Sequence, residues 1–179
     1  MYEIEAKVVI NNRDFSRLQK QLKKEAGFQG KSLKKDTYYD DTQKIYLRVR
    51  EKDKKTLFEI KVKNIVSGVE LNTEIGWGIK DKKKWNQLLN KLGIKPAARK
   101  TKKTEAYQLN GFNIELNYVN KLGYFLEIER VVKSKKQIPK AKKELIDMFD
   151  KLGYSQKDFE KKYYLDLLQE HRKQNTGIS

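Results

Sequence analysis

Charged and aliphatic side chains alternate along most of the strand-like segments of this chain. At the N-terminus Glu3, Glu5 and Lys7 share one strand face, because successive side chains of a strand point to opposite faces. Later segments repeat the alternation, with aliphatic side chains such as Val49 and Ile60 on the opposite face. The charged pairs on these later segments are Arg48/Arg50, Lys61/Lys63, Glu70/Glu74 and Glu127/Glu129. A sheet built from such strands has one charged face and one aliphatic face.

Strand signals recur along the chain and are joined in places by short turns such as Asn110-Gly111. They lie near residues 2–10, 36–50, 56–64, 69–80, 99–109, 111–119 and 123–133. Consecutive strands joined by short turns favour antiparallel pairing. Together with the interspersed helices they predict an α+β fold.

Four amphipathic helical patterns interrupt or follow the strands, and in three cases a glycine suited to a left-handed cap comes directly after the apolar stripe. The first pattern ends at Gly27, the second lies between Asp81 and Gly93, and the third lies between Pro139 and Gly153. The fourth begins at the capping sequence of Ser155. Since no linker or low-complexity run separates the elements, we predict a single domain over residues 1–173 and a frayed tail over residues 174–179.

The charged strand faces are predicted to point inward. If they faced solvent, the aliphatic faces would form an ordinary oily core and would leave little for the helices to cover. The four helices instead supply apolar stripes in about the amount that the aliphatic strand faces require. This match favours an inverted barrel, with helices outside and charge within.

Composition narrows the classes of function. The sequence has 41 Lys and Arg against 24 Asp and Glu, which gives a formal net charge of +17. That excess favours an anionic partner, although lysine-rich helix faces exposed to solvent explain it equally well. The absence of cysteine excludes disulfides, thiolate metal ligands and a cysteine nucleophile. Without an N-terminal signal or a long apolar run, a cytoplasmic protein with no membrane association is predicted.

The charged face separates into a basic set and an acidic set. Like charges about 5 Å apart repel by roughly 3 kcal/mol at an effective dielectric constant near 20, so a basic lumen favours a bound polyanion. Carboxylate oxygens suit Mg²⁺ or Mn²⁺, which would bridge a polyphosphate. The basic set is Lys7, Arg48, Arg50, Lys61, Lys63 and Lys102, and the acidic set is Glu3, Glu5, Glu127 and Glu129, to which Glu74 is a further candidate. This combination predicts a triphosphate site.

The order of these motifs resembles that of the CYTH superfamily. The motifs are Glu3-x-Glu5-x-Lys7, Leu47-Arg48-Val49-Arg50, Lys61-x-Lys63 and Phe125-Leu126-Glu127-Ile128-Glu129. Members of this superfamily are triphosphate tunnel metalloenzymes and include class IV adenylyl cyclases and thiamine triphosphatases. The resemblance implies a closed antiparallel eight-stranded β-barrel, a tunnel that binds a triphosphate with the help of one or two metal ions.

The resemblance also implies roles for individual residues. The basic set would hold the phosphates, and Glu3, Glu5, Glu127 and Glu129 would hold Mg²⁺ or Mn²⁺. Glu74, Glu127 and Asn117 are the candidate catalytic residues. The substrate would be ATP, thiamine triphosphate or inorganic tripolyphosphate, and the reaction either cyclisation of ATP to cyclic AMP and pyrophosphate or hydrolysis of the triphosphate.

Two positions that bear on this chemistry depart from the family pattern. Asn117 stands where many members have an aspartate assigned to metal binding or to base function. Thr104 stands near the place where the strand of Lys102 usually carries an arginine, and Lys103 can replace that arginine only if the strand register shifts.

Two other classes of function stay open at this point. A nucleic-acid-binding module is compatible with the basic composition and the many aromatic residues, but carboxylates within the basic track would repel phosphates. A non-catalytic sensor of triphosphate or polyphosphate is compatible with the substitutions at Asn117 and Thr104. The oligomeric state is also open and includes a homodimer.

The inward placement of charge yields an expectation for the two arginines of the basic set. If Arg48 and Arg50 mainly repel neighbouring cations, replacing both by alanine abolishes triphosphate binding and barely lowers thermal stability.

Overall fold

The computed structural model describes residues 1–42, 45–62 and 64–176, with the side chains of residues 40–42, 45, 46 and 176 left out. Its strands are β1 (Tyr2–Ile10), β2 (Gly27–Thr42), β3 (Ile45–Lys52), β4 (Lys55–Val62), β5 (Ile65–Val66), β6 (Val69–Gly78), β7 (Pro96–Leu109), β8 (Phe112–Val119) and β9 (Gly123–Val132). Its α-helices are α1 (Asn12–Glu25), α2 (Lys82–Lys91), α3 (Ile138–Lys151) and α4 (Tyr164–Thr176). None of the helices in the described ranges has the length and apolar character needed to cross a membrane.

Eight of the strands close into an antiparallel barrel. The strand order is β1-β9-β8-β7-β2-β3-β4-β6, and β6 pairs with β1 to complete the ring. The two-residue strand β5 adds to β6 outside this ring. The predicted α+β fold with a closed eight-stranded barrel is therefore confirmed.

The hydrophobic core lies between the outer face of the barrel and the helices. On β1 the side chains of Ile4, Ala6 and Val8 are buried among apolar residues of α1 and α3. On the other side of the barrel Phe58 packs against Trp85 of α2, with ring centroids 4.8 Å apart. The charged residues between these aliphatic positions must then face the lumen, as the alternation predicts.

The expected left-handed caps are confirmed for two helices and wrong for one. Gly93 and Gly153 have φ angles of +75° and +90° just after α2 and α3. Gly27, however, is the first residue of β2, because Ala26 already adopts an extended conformation at the end of α1.

The segment predicted as one strand near residues 36–50 is in fact two strands. β2 begins at Gly27, nine residues earlier than expected, and pairs with β7 along most of its length. The polar stretch before Asp36 has no apolar alternation, so the pairing with β7 determines its conformation. β7 likewise begins at Pro96, where a strand's first position tolerates the missing N–H.

The C-terminal helix also begins later than predicted. The capping box of Ser155 closes a 3-10 turn over Gln156–Asp158, because the Asp158 carboxylate accepts the backbone N–H of Ser155. Phe159 then forms a β-bridge with Val8. α4 starts only at Tyr164, where Asp166 accepts the backbone N–H of Tyr163. The helix continues through residue 176, and residues 177–179 lie outside the described part of the chain.

We predict that Gly68→Ala lowers the free energy of unfolding by about 2–4 kcal/mol, because alanine is strained in a left-handed conformation and its Cβ would be overpacked. Gly68 has a φ angle of +79°, and a Cβ there would lie 2.6 Å from the Cβ of Phe159. Gly111 has the same φ angle but no heavy atom within 4 Å, so Gly111→Ala is the matched control, with an expected loss of about 1 kcal/mol. Urea denaturation measures both; equal losses would show that the contact with Phe159 is unimportant.

Candidate functional site

The barrel encloses a cavity of about 250 Å³ lined almost entirely by charged side chains. Seven of the described lining residues are glutamates and seven are lysines or arginines. The cavity is therefore close to electrically balanced, and the expectation of a strongly basic lumen is wrong. The reason is that β6, β1, β9 and β8, which are consecutive in the ring, supply the carboxylates, while the other four strands supply six of the seven cations.

The lysines of the lumen are held in ion pairs with carboxylates of other strands. Lys102 lies 2.8 Å from a carboxylate oxygen of Glu115 and 2.8 Å from one of Glu127. The second oxygen of Glu115 lies 2.7 Å from the ammonium of Lys34. Lys7 is paired with Glu70, and both side chains are almost fully buried. Such pairs stabilise charges that would otherwise be costly to bury.

The arginines of β3 are also paired. Arg50 donates two hydrogen bonds to Asp36, of 2.8 and 2.9 Å, and Lys100 lies 3.1 Å from the same carboxylate. Burial acts to raise the pKa of Asp36, but Lys100 and Arg50 hold it well below its usual range. Arg48 donates to Glu59 over 2.7 Å. The premise that Arg48 and Arg50 mainly repel other cations is therefore wrong.

Three carboxylates gather on the other side of the lumen. One oxygen each of Glu3, Glu5 and Glu129 lies within 4.8 Å of the other two. The spacing of two residues on β1 puts Glu3 and Glu5 on one face, and the register of β9 sets Glu129 opposite Glu5. We refer to these three residues as the acidic group.

The pKa values of the three carboxylates in the acidic group are shifted in different directions. Burial, together with the neighbouring carboxylates, raises the pKa of Glu3 to about 8, although Lys61 opposes the shift. Burial and Glu5 raise the pKa of Glu129 to about 7. Burial also acts to raise the pKa of Glu5, but Lys61 and Lys7 outweigh it and hold that pKa at about 2.

The residues that precede and open α4 form one end of the cavity. Tyr163, Tyr164 and Leu165 line it. The ring centre of Tyr164 lies 4.5 Å from the ammonium of Lys100 and 5.5 Å from that of Lys7, distances suited to cation–π attraction. The hydroxyl of Tyr163 donates to the side-chain oxygen of Asn72 over 3.2 Å.

Comparison with known proteins identifies the family. The sequence profile of the CYTH domain matches residues 1–164 of this chain. The chain belongs to the CYTH family.

Individual relatives of this CYTH domain are similar over nearly their whole length. A Methanocaldococcus jannaschii protein named "Putative adenylate cyclase MJ0240" is 29% identical over 175 residues, which cover 93% of this chain and 98% of that protein. The PH1012 structure from Pyrococcus horikoshii has 30% identity and a TM-score of 0.81, covering 93% of this chain and 99% of its own. A Hippeastrum protein, titled "Putative adenylyl cyclase HpAC1 from Hippeastrum reveals a dominant triphophatase activity", shares the fold at 14% identity and a TM-score of 0.66, with 94% and 95% coverage.

Most of the predicted site residues meet in this CYTH cavity. The predicted residues that line it are Lys7, Arg48, Arg50, Lys61, Lys102, Glu3, Glu5, Glu74, Glu127 and Glu129. Glu127, predicted as a metal ligand, is paired with Lys102 and is not part of the acidic group. Lys63 lies outside the described residues.

Four charged cavity residues were given no role from the sequence. Lys34 lies in the part of β2 that was not predicted as a strand, so the alternation along the strand could not be used to predict the face on which it lies. Lys100 and Glu115 have the inward parity of Lys102 and Asn117, a signal that could have found them. Glu70 was recognised as charged and inward but was not given its role as the partner of Lys7.

The two departures from the family pattern form a contact of their own. The Thr104 hydroxyl donates to Asn117 over 2.6 Å, and both side chains are buried. Asn117 is absent from the described lining of the cavity, but its amide donates a hydrogen bond of 3.4 Å to Glu115, which lines it, so Asn117 helps to hold that carboxylate. Lys103 is exposed and lies on the opposite strand face, so it does not replace the arginine expected near Thr104.

We predict that Arg50→Met lowers the free energy of unfolding by about 3 kcal/mol, because it removes one of the partners of a buried carboxylate. The side chain of Asp36 is fully buried. Lys103→Met, on the exposed face, is the control and should change stability by less than about 0.5 kcal/mol. Thermal and urea denaturation measure both variants. An unchanged stability of Arg50→Met would contradict the prediction and would support the earlier expectation that Arg50 mainly repels neighbouring cations.

We predict that the metal-free protein becomes less stable as the pH rises from 5.5 to 8.5. The folded protein binds the protons of Glu129 and Glu3 more tightly than the unfolded chain, because their pKa values are raised to about 7 and about 8. The stability that this provides is present at low pH and is lost as the pH passes these values. Melting temperatures measured across this range should fall, and Glu129→Gln should flatten the decline; a flat profile for the unmodified protein would contradict the shifts.

Proposed function

We propose that this protein is a metal-dependent enzyme that hydrolyses triphosphates, with the phosphate chain held inside the barrel. The observation that carries the proposal is the juxtaposition of the acidic group and several phosphate-binding cations in one cavity of about 250 Å³. Membership of the CYTH family supports the same general chemistry.

The cations of the lumen would bind phosphates by exchanging their carboxylate partners for phosphate oxygens. In the described contacts the cations of the lumen are held by carboxylates, so an entering triphosphate replaces these carboxylates as the acceptor. Arg48 and Arg50 offer paired N–H donors that match phosphate oxygens, while Lys7 and Lys102 act as point charges. The affinity for the triphosphate depends on how much more strongly these cations interact with phosphate oxygens than with the carboxylates.

The acidic group fits a divalent cation. Its three carboxylates are hard oxygen ligands, which suit Mg²⁺ or Mn²⁺. Burial and neighbouring carboxylates raise the pKa values of Glu3 and Glu129, and a bound cation would relieve both effects. Bound there, such a cation would neutralise charge on the phosphate oxygens during phosphoryl transfer. The chain itself contributes orientation of the phosphates and fixed positive charge, which are the main requirements of this reaction.

Two of the three predicted catalytic residues stay in this proposal. Glu74 and Glu127 line the cavity, and Lys61 and Arg48 hold the pKa of Glu74 below its usual value despite its burial. Glu74 is therefore ionised at neutral pH and able to accept a hydrogen bond from an attacking water. Asn117, which is engaged by Thr104, is not assigned a catalytic role.

The chemistry of the cavity lining supports hydrolysis as the first candidate. Charged side chains dominate the lining, which suits a phosphate chain. The name of the M. jannaschii relative supports adenylate cyclase as the second candidate.

One assay separates these candidates. We expect tripolyphosphate, thiamine triphosphate or ATP, incubated with Mg²⁺ or Mn²⁺, to release inorganic phosphate. Cyclic AMP and pyrophosphate from ATP would establish the cyclase instead. Tight binding without turnover would indicate a sensor, and salt-sensitive, metal-independent binding of oligonucleotides would indicate a nucleic-acid-binding module.

We predict that Glu3→Gln and Glu5→Gln each lower the rate of triphosphate cleavage by at least about 100-fold, because both remove charge from the proposed metal site. Glu25→Gln on the exposed surface of α1 is the matched control and should keep full activity. Initial rates are compared after circular dichroism has shown that the variants are folded. Full activity in both acidic-group variants would exclude this site from the chemistry.

A further inference from the structure

We propose that the Lys61 ammonium is a built-in counter-ion of the acidic group that a divalent cation must displace, and that its displacement makes Lys61 available to the phosphates. This inference rests on the proposed function, since it concerns metal and phosphate binding in the same cavity. It assigns Lys61 a positioning role different from that of the other tunnel lysines.

The surroundings of Lys61 resemble the coordination of a cation. Its ammonium lies 3.0 Å from Glu3, 3.2 Å from Glu5, 3.3 Å from Glu74 and 3.8 Å from Glu70. An ammonium has three N–H donors, so these four carboxylates supply more oxygens than it can bind through hydrogen bonds. The ammonium therefore leaves carboxylate oxygens available as ligands for a divalent cation.

Two carboxylates of the acidic group also contact Lys61. Glu3 and Glu5 contact the ammonium, and with Glu129 they form the group whose oxygens lie within 4.8 Å of one another. A metal ion bound to these oxygens would be only a few ångströms from the ammonium. Because like charges at that distance repel strongly in a buried site, full occupancy by both is unfavourable.

The other paired lysines of the described lumen lack this overlap. Lys102 contacts Glu115 and Glu127, while Lys34 contacts Glu115. Lys7 is paired with Glu70. None of these ion pairs includes a member of the acidic group. Lys7 acts on Glu5 over a longer distance, so among these lysines only Lys61 is in direct contact with the proposed metal ligands.

Displacement would leave Lys61 close to the substrate. Its flexible four-carbon stem can move the ammonium without moving β4. Glu74, across the β4–β6 pairing from Lys61, is the more exposed of its partners. An ammonium released from Glu3 and Glu5 would meet the phosphate oxygens on that side. Metal and triphosphate would then strengthen each other's binding by the same factor.

The test compares the affinity for Mn²⁺ alone, measured by isothermal titration calorimetry. We expect Lys61→Met to bind Mn²⁺ at least about tenfold more tightly than the unmodified protein, whereas Lys61→Arg, which keeps the charge, should not. Lys34→Met removes an equal charge from the same cavity away from the acidic group and should change the affinity by less than about threefold. Unchanged or weaker binding by Lys61→Met would overturn the proposal.

A second measurement follows the unmodified protein and uses a conservative variant only to assign resonances. Titration of the unmodified protein with Mg²⁺ should shift the NMR resonances of the Lys61 side chain, identified by their absence in Lys61→Arg, more than those of Lys34. Lys61 resonances that stay in place at saturating Mg²⁺ would refute the displacement. Both results are independent of turnover, so a failure to cleave triphosphates would refute the proposed function without affecting them.

Discussion

The pairing of buried charges inside a closed barrel is the interaction on which the rest of the structure depends. Alternation along each strand sends the aliphatic side chains outward to the helices, which forces the charged ones into the lumen. Charges in such a place are tolerated only with partners. Carboxylates such as Asp36 and Glu115 supply them, each shared between two cations. The resting cavity is thus a set of ion pairs that a ligand must rearrange.

Charge balance in the lumen changes the meaning of the basic composition. Among the described residues, seven Lys and Arg line the cavity, while nine Asp and Glu line it or pair with its cations. The positive excess of the sequence therefore does not come from these cavity residues. The net charge of +17 is therefore no measure of the attraction that the tunnel exerts on phosphate.

Parity and the apolar stripes of the helices were sufficient to predict the inward placement of charge and most of the charged cavity residues. The closed eight-stranded barrel was predicted from the resemblance to the CYTH superfamily. Parity could not predict which charges pair, because Lys34 and Glu115 meet only through the register of strands distant in sequence. The early start of β2 depends on pairing with β7, for the same reason. The late start of α4 was missed because the signature of Ser155 is identical for a 3-10 turn and a longer helix. Local pattern determines the face of a residue, and long-range pairing determines its partner.

The position of Tyr164 has a consequence for the order in which the protein matures. All eight barrel strands precede this residue in the chain, yet its ring lies against lysines of β1 and β7. During synthesis the residues of all eight strands therefore emerge before Tyr164. Its contacts with Lys7 and Lys100 can form only after that, so this part of the cavity lining is the last to become available.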